Sequence, residues 1–355
     1  MFTICRWIAV IGLLGGQGGQ ILAADPPMTN EALKQLLKQF PKADTNGDGV
    51  LTQEEAKAYR AVLLKAEAAK KSVSPTKSNV SYGPYQRNVL DFYQAESKTP
   101  TPLIIFIHGG GFVAGDKTGV IPEFVRGALT AGISFASINY RFVDGKEVIF
   151  PAPQHDGARA VQFLRTKASE WNLDPKHFAC IGGSAGAGIS MWIGFHDDLA
   201  DPRNSDPVLR QSTRIQAIGT LGGQGTYDPI QIKELIGGRA WEHPSLIKVY
   251  GLKSNAEALN PNPEMQRRYD ESSAITHLTK DDPGLYMVYN ESEGPLPAKA
   301  GPGDGIHHPN FGKQLKKKMD ELGIANVYVN TTETKGVDVG SEMIKFIQEQ
   351  FAKSK

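Results

Sequence analysis

Two glycine-rich segments carry the ingredients of nucleophilic chemistry. In Gly182-Gly183-Ser184-Ala185-Gly186, a serine stands among residues small enough for a strained strand-to-helix turn, which lifts its hydroxyl clear of the chain. The Ala185 N–H and the positive end of the helix that follows face the same space. In His108-Gly109-Gly110-Gly111-Phe112, the lack of side chains at 110 and 111 lets backbone N–H groups approach from the other side, with His108 bracing the glycines. A hydroxyl between two sets of donors suits attack on a carbonyl carbon, with Gly110, Gly111 and Ala185 holding the charge that develops on its oxygen.

A second constellation suits a hard cation. In residues 44–55, Asp44, Asn46 and Asp48 stand at alternate positions, Gly49 permits a sharp turn and Val50 offers a backbone carbonyl; Thr52 and Glu55 occupy the ninth and twelfth places. That spacing wraps a cation in oxygen ligands, with Glu55 able to bind through both carboxylate oxygens.

The elements that must position these groups follow from hydrophobic periodicity. Leu33, Leu36, Leu37 and Phe40 recur at helical spacing over residues 29–43, and a second helix leaves the acidic loop. Strands are predicted at Val89–Tyr93, Leu103–Ile107, Ser134–Asn139, His177–Ile181, Ile215–Leu221, Leu285–Tyr289 and Val327–Asn330. Helices are predicted at Asp156–Glu170, Ala185–His196, Phe311–Leu322 and Glu342–Phe351. The alternation implies an α/β fold, a mostly parallel sheet with helices on both faces, whose reactive groups collect beyond the carboxyl ends of the strands. Both glycine-rich segments stand at such ends.

The flanking segments have other signatures. Arg6, the short apolar run Trp7–Leu14 and the small residues Ala23-Ala24 read as a signal peptide over 1–24, which implies a secreted or periplasmic protein with no membrane span in the mature chain. Residues 28–72 form the acidic-loop module, 73–81 a Ser/Pro/Lys linker, and 82–355 one large domain with a cap insertion around 227–270. Of the two cysteines, Cys5 lies in the leader and Cys180 in a predicted strand, so the mature chain has no internal disulfide. A formal charge of +1, with 39 Lys+Arg against 38 Asp+Glu, leaves no basic field for nucleic acid.

The run HGGGF, AGDK, SINYRF and FPAPQHDGARAVQFLR through NLDPKHFACIGGSAGAG resembles the α/β-hydrolase superfamily, in particular the HGGG-type esterases and lipases related to hormone-sensitive lipase and to feruloyl esterases. The segment DTNGDGVLTQEE resembles an EF-hand loop, which implies bound Ca²⁺. The first resemblance implies an α/β-hydrolase fold, hydrolysis of small-molecule carboxylic esters and Ser184 as nucleophile. It also implies an acid after the seventh strand and a histidine after the eighth. Asp304 keeps the family spacing of the acid to Leu315, while Glu291 and Glu293 lie closer to the strand end. The histidine departs from the pattern: none follows residue 308, and TKGVDVG stands in its place. His307 and His308, in GIHHP on the loop from the seventh strand, are candidates for a relocated base, since triads are defined by geometry and not by order. Two readings therefore stand open: an exported serine esterase with a Ca²⁺-binding EF-hand, or a non-catalytic binding protein that keeps the cleft without its base.

Overall fold

The computed structural model describes residues 28–71, 73–297, 299–334 and 336–353. The leader expected over 1–24 lies outside them. The chain divides after Ser72 into two compact units.

In the first unit, α1 (Asn30–Gln39) is capped by Thr29, whose side chain accepts from the Ala32 N–H at 3.3 Å, and α2 spans Gln53–Lys71. The helix predicted over 29–43 stops early because Pro41 drives Phe40 out of the helical region, to φ −134° and ψ 70°. Leu33, Leu36, Phe40, Ala43, Leu51 and Ala56 form a small core of the unit's own.

The second unit is built on eight strands: β1 (Lys77–Ser81), β2 (Val89–Tyr93), β3 (Thr101–Ile107), β4 (Ser134–Ile138), β5 (Leu173–Gly183), β6 (Ala217–Leu221), β7 (Gly284–Tyr289) and β8 (Asn326–Asn330). Their order is β1-β2-β4-β3-β5-β6-β7-β8, antiparallel at the β1-β2 and β2-β4 pairs and parallel from there on. The linker expected over 73–81 is corrected here, because β1 lies within it. Its residues KSNVS are mostly exposed and show no apolar alternation, so periodicity misses it. An edge strand needs only backbone pairing, to which the Asn79 N–H adds a bond to Asp91 Oδ1 at 2.8 Å.

Helices cover both faces. α3 (Pro122–Thr130) and α12 (Val339–Lys353) pack on one; α4 (Ala152–Thr166), α5 (Ala185–Phe195) and α11 (Asn310–Leu322) pack on the other. Strand β3 shows why both faces must be covered: Leu103, Ile105 and Ile107 point into one core while Ile104 and Phe106 point into the other. Between β6 and β7 the cap expected around 227–270 is built of short helices joined by turns, with α6 (Pro229–Ile236), α7 (Pro244–Tyr250), α8 (Asn255–Ala258), α9 (Pro263–Ser272) and α10 (Ala274–His277). Three of these helices begin with a capping side chain followed by proline, at Asp228-Pro229, His243-Pro244 and Asn262-Pro263. Among the described residues no helix is long and apolar enough to cross a membrane.

Candidate active site

Ser184 sits between the end of β5 and the first turn of α5 with φ 51° and ψ −119°, a conformation that costs a non-glycine residue on the order of 1–3 kcal/mol. The surrounding chain holds it there. Its N–H donates to the Leu221 carbonyl at 2.8 Å, and its carbonyl accepts from the Gly188 N–H at 3.1 Å. A Cβ on Gly182 would lie 2.3 Å from the Gly186 carbonyl carbon, and one on Gly186 would lie 2.0 Å from the Ile107 carbonyl oxygen. The turn therefore closes only with glycine at both places.

The oxyanion loop after β3 is equally constrained. Gly110 adopts φ +113°, and a Cβ there would lie 2.1 Å from the Ala114 carbonyl oxygen. Behind the loop, the His108 ring stacks on Tyr140 with centroids 4.4 Å apart and bonds through Nδ1 to the Gly109 carbonyl at 2.7 Å. The Tyr140 hydroxyl donates to the His108 carbonyl, and Arg87 donates to the Gly115 carbonyl. Arg87, which no sequence pattern singles out, thus ties the β1–β2 connection to this loop. Among the described residues no acceptor takes the N–H of Gly110, Gly111 or Ala185. These donors remain available to a ligand atom.

Of the two candidate bases, His307 is the one brought to the serine: its Nε2 lies 2.8 Å from Ser184 Oγ, across 123 residues of sequence. A Cβ on Gly222, whose φ is +60°, would press on the imidazole at 3.1 Å, so glycine there leaves room for the ring. The Gln224 side-chain amide donates to the Ile306 carbonyl and fixes the residue before the imidazole. His308 turns the other way and is buried. Its Nδ1 accepts from the Asn310 N–H at 3.1 Å at the start of α11, and its Nε2 donates to the Gly294 carbonyl at 3.0 Å. A reading of His308 as the base is corrected accordingly, since both ring nitrogens are occupied away from the cleft.

The acid is corrected in the same way. Asp304 is exposed in a turn and accepts from the Gly301 N–H at 2.7 Å, with no bond to either imidazole. It lies 15 residues beyond the end of β7 in the chain, on the far side of an inserted segment. Glu291 stays, two residues after β7 ends, with Oε1 3.8 Å from His307 Nδ1. That is ion-pair range and longer than a hydrogen bond; such contacts tighten when a reaction is under way. Glu293 is engaged elsewhere, by Lys313 and by the Tyr328 hydroxyl.

Burial pushes the His307 imidazole below its ordinary value of 6.5, and the facing His243 pushes it further. Glu291 moves up, first because it is desolvated, although the His307 backbone N–H opposes the shift. An imidazole that works as a base must be neutral, so kcat/KM for an ester should rise with pH through a midpoint below 6.5. His243→Asn removes a neighbour that repels the imidazolium while keeping a side chain able to cap α7. The midpoint should therefore move up, and a pH–rate profile of the two proteins checks the shift. From the sequence, His243 reads only as a surface or helix position.

Two cavities meet at Ser184 and His307. One, of about 420 Å³, is lined mainly by apolar groups including Phe112, Tyr227, Ile232, Leu246, Val249 and Phe311, with Gln224, His243 and Ser245 as polar exceptions beside Ser184 and His307 themselves. The other, of about 590 Å³, runs past Ile121, Phe124, Val288 and Tyr289. A substrate spanning both would place its central bond at the hydroxyl. Cys180, buried in β5 with its thiol pushed up to about 12 by burial, plays no part in the cleft.

The chain's relatives agree with this construction. It is 25% identical over 225 residues to the probable carboxylic ester hydrolase LipM of Mycobacterium tuberculosis, covering 62% of this chain and 49% of that protein. It is 28% identical over 184 residues to the versiconal hemiacetal acetate esterase of Dothistroma septosporum, covering 49% of this chain and 51% of that protein. The chain thus spans about half the length of these curated relatives. Among solved structures, a truncated carbohydrate esterase from gut microbiota shares the fold, with a TM-score of 0.59 at 20% identity over 80% of this chain and 98% of that one. The sheet order, the strand-end cleft and the match of residues 90–300 to a single family, more than half of the chain, lead to one assignment: the protein belongs to the BD-FAE family, in the esterase group of the α/β-hydrolase fold.

Proposed function

We propose that the protein hydrolyses small-molecule carboxylic esters through an acyl-enzyme on Ser184. The observation that carries this reading is the 2.8 Å contact of His307 Nε2 with Ser184 Oγ. His307, protonated on Nδ1, takes the serine proton at Nε2 as Oγ attacks the carbonyl carbon, and the N–H groups of Gly110, Gly111 and Ala185 hold the oxyanion. The proton then passes to the departing alcohol. Water enters the same position, His307 accepts its proton, and collapse of the second tetrahedral intermediate releases the acid and restores Ser184. Glu291 stabilises the imidazolium formed in each half-reaction. The relatives named carboxylic ester hydrolase and acetate esterase support the reaction class. The non-catalytic reading drew its motive from the missing histidine after β8, and an imidazole at hydrogen-bond distance removes that motive. Fluorophosphonate treatment followed by peptide mass spectrometry tests the proposal: an adduct on Ser184 is expected, and a folded protein that takes no label would overturn it.

The first unit is a Ca²⁺ site in the same reading. Its donors fit a hard cation. Asp44 takes the N–H groups of Gly47 and Gly49 on its two oxygens, at 2.8 and 2.9 Å. Glu55 reaches back from α2, its Oε1 accepting from the Thr45 hydroxyl at 3.0 Å and its Oε2 from the Thr52 hydroxyl at 2.8 Å. Hydrogen bonds led by the Thr52 N–H hold the Glu55 carboxyl down at about 2, so it is ionised at neutral pH. Asp44, Asn46, Asp48, Thr52, Glu55 and the Val50 carbonyl would hold the ion, and no step of ester chemistry runs through it. Calorimetric titration with Ca²⁺ should show one site that Glu55→Gln weakens by about tenfold or more, while ester turnover stays unchanged. Export by the leader over 1–24 completes the proposal, and N-terminal sequencing of secreted or envelope material should return Ala24 or Asp25.

A further inference from the structure

Beyond the catalytic cleft, at the far end of α5 from Ser184, two histidines and a glutamate converge. His196 follows the last turn of α5, Glu271 belongs to α9 and His277 ends α10; one ligand atom from each lies within 4.8 Å of the others. All three are half-buried.

Their hydrogen bonds orient them as metal ligands are oriented. His196 Nδ1 bonds to the Asp197 carbonyl at 2.9 Å, and His277 Nε2 bonds to the Glu271 carbonyl at 2.9 Å. A carbonyl oxygen only accepts, so the proton sits on the nitrogen it faces. The neutral rings therefore keep their lone pairs on Nε2 of His196 and Nδ1 of His277. A carbonyl behind each imidazole is the usual support of a metal-bound histidine. The Glu271 carbonyl is itself pinned by the Trp192 indole N–H at 2.8 Å, and the Trp192 ring lies 4.3 Å from that of His196. One of the three spacings already matches, and the others lie within 4.8 Å, close enough for a side-chain rotation to bring them in. Two ligands at the roughly 2.0–2.1 Å bond lengths of a tetrahedral zinc ion stand about 3.3 Å apart. His196 Nε2 and Glu271 Oε1 are separated by 3.3 Å.

We propose that His196, Glu271 and His277 form a Zn²⁺ site with a fourth position open to water. Two imidazoles and one carboxylate suit zinc better than Ca²⁺ or Mg²⁺, which favour all-oxygen shells. On binding, any proton held between His196 Nε2 and the Glu271 carboxylate is displaced to solvent, because all three ligand atoms bind the ion deprotonated. The site staples the end of the nucleophile helix α5 to α9 and α10, the segment that leads into β7. Its effect falls on stability and not on chemistry, because α5 separates it from Ser184 by roughly 16 Å of helix, at 1.5 Å per residue.

The test is calorimetric titration of the full chain with ZnCl₂ in saturating Ca²⁺, which keeps the acidic loop from competing. One Zn²⁺ per chain is expected, and the thermal midpoint should rise with the metal. His196→Ala and His277→Ala should each weaken binding by about tenfold or more and abolish the thermal shift, with ester turnover of the metal-free protein unchanged. Should His196→Ala fail to fold, His277→Ala at the end of a short helix carries the test. Absence of binding, an isotherm indifferent to both substitutions, or one lost on His307→Ala instead, would overturn the proposal.

Discussion

His307→Ala should lower kcat for a p-nitrophenyl ester by on the order of 10⁵- to 10⁶-fold, and Ser184→Ala should do the same, because nucleophile and base act as one unit. For that reason the double variant should be no slower than either single one. The contact that makes them a unit is the 2.8 Å bond between Oγ and Nε2. His308→Ala separates the adjacent imidazole by its readout. That ring is buried, and removing it strands the Gly294 carbonyl and the Asn310 N–H, a change worth about 2–3 kcal/mol for two lost hydrogen bonds in a buried place. The thermal midpoint should fall by several degrees, while activity per folded molecule stays within about tenfold of wild type. Steady-state rates and thermal unfolding of the same preparations check both. A folded His308→Ala protein that had lost its turnover, beside an active His307→Ala, would reverse the assignment.

Glu291→Gln should cost about 10²- to 10⁴-fold in kcat, since the partner of a catalytic imidazole holds its tautomer and stabilises the imidazolium. The lower part of that range applies if the 3.8 Å separation persists during turnover, the upper part if it closes. Asp304→Asn should change kcat by no more than about threefold, because the Asp304 carboxylate is exposed and spent on the Gly301 N–H. The pH–rate profile gives a second readout. Losing an anion beside the imidazole disfavours the imidazolium, so the acid limb in Glu291→Gln should move to still lower pH. A large loss in Asp304→Asn with Glu291→Gln unaffected would reverse the assignment and make Asp304 the partner of the imidazole.

The features legible in the amino-acid sequence are those whose geometry is local. The elbow around Ser184 and the loop at Gly110 and Gly111 need glycine because backbone atoms a few residues away would collide with a Cβ. The acidic loop from Asp44 to Glu55 is likewise a matter of spacing along a short chain. Strands such as β3, β4 and β7 stand out because both their faces are buried and their sequences are accordingly apolar. The polar edge strand β1 does not, because its pairing is made by backbone alone. The cap helices escape notice because Pro, Asn and Asp at their starts read as loop composition when the helices behind them are short.

The amino-acid sequence alone marks Ser184 as the candidate nucleophile, Gly110, Gly111 and Ala185 as candidate oxyanion donors, the oxygen-rich loop and the alternation that makes a parallel α/β sheet, all of them properties of short, contiguous segments. Only the tertiary structure brings His307 and not His308 to Ser184, sets Glu291 and not Asp304 beside His307, and gathers His196 and His277 around Glu271. Adjacent residues in a loop project to different sides, and a carboxylate's reach depends on the path of the loop that carries it. Neither is encoded in spacing, because the distance from Ser184 to an imidazole 123 residues away is set by the register of β5, β6 and β7 and by the packing of the loops at their carboxyl ends.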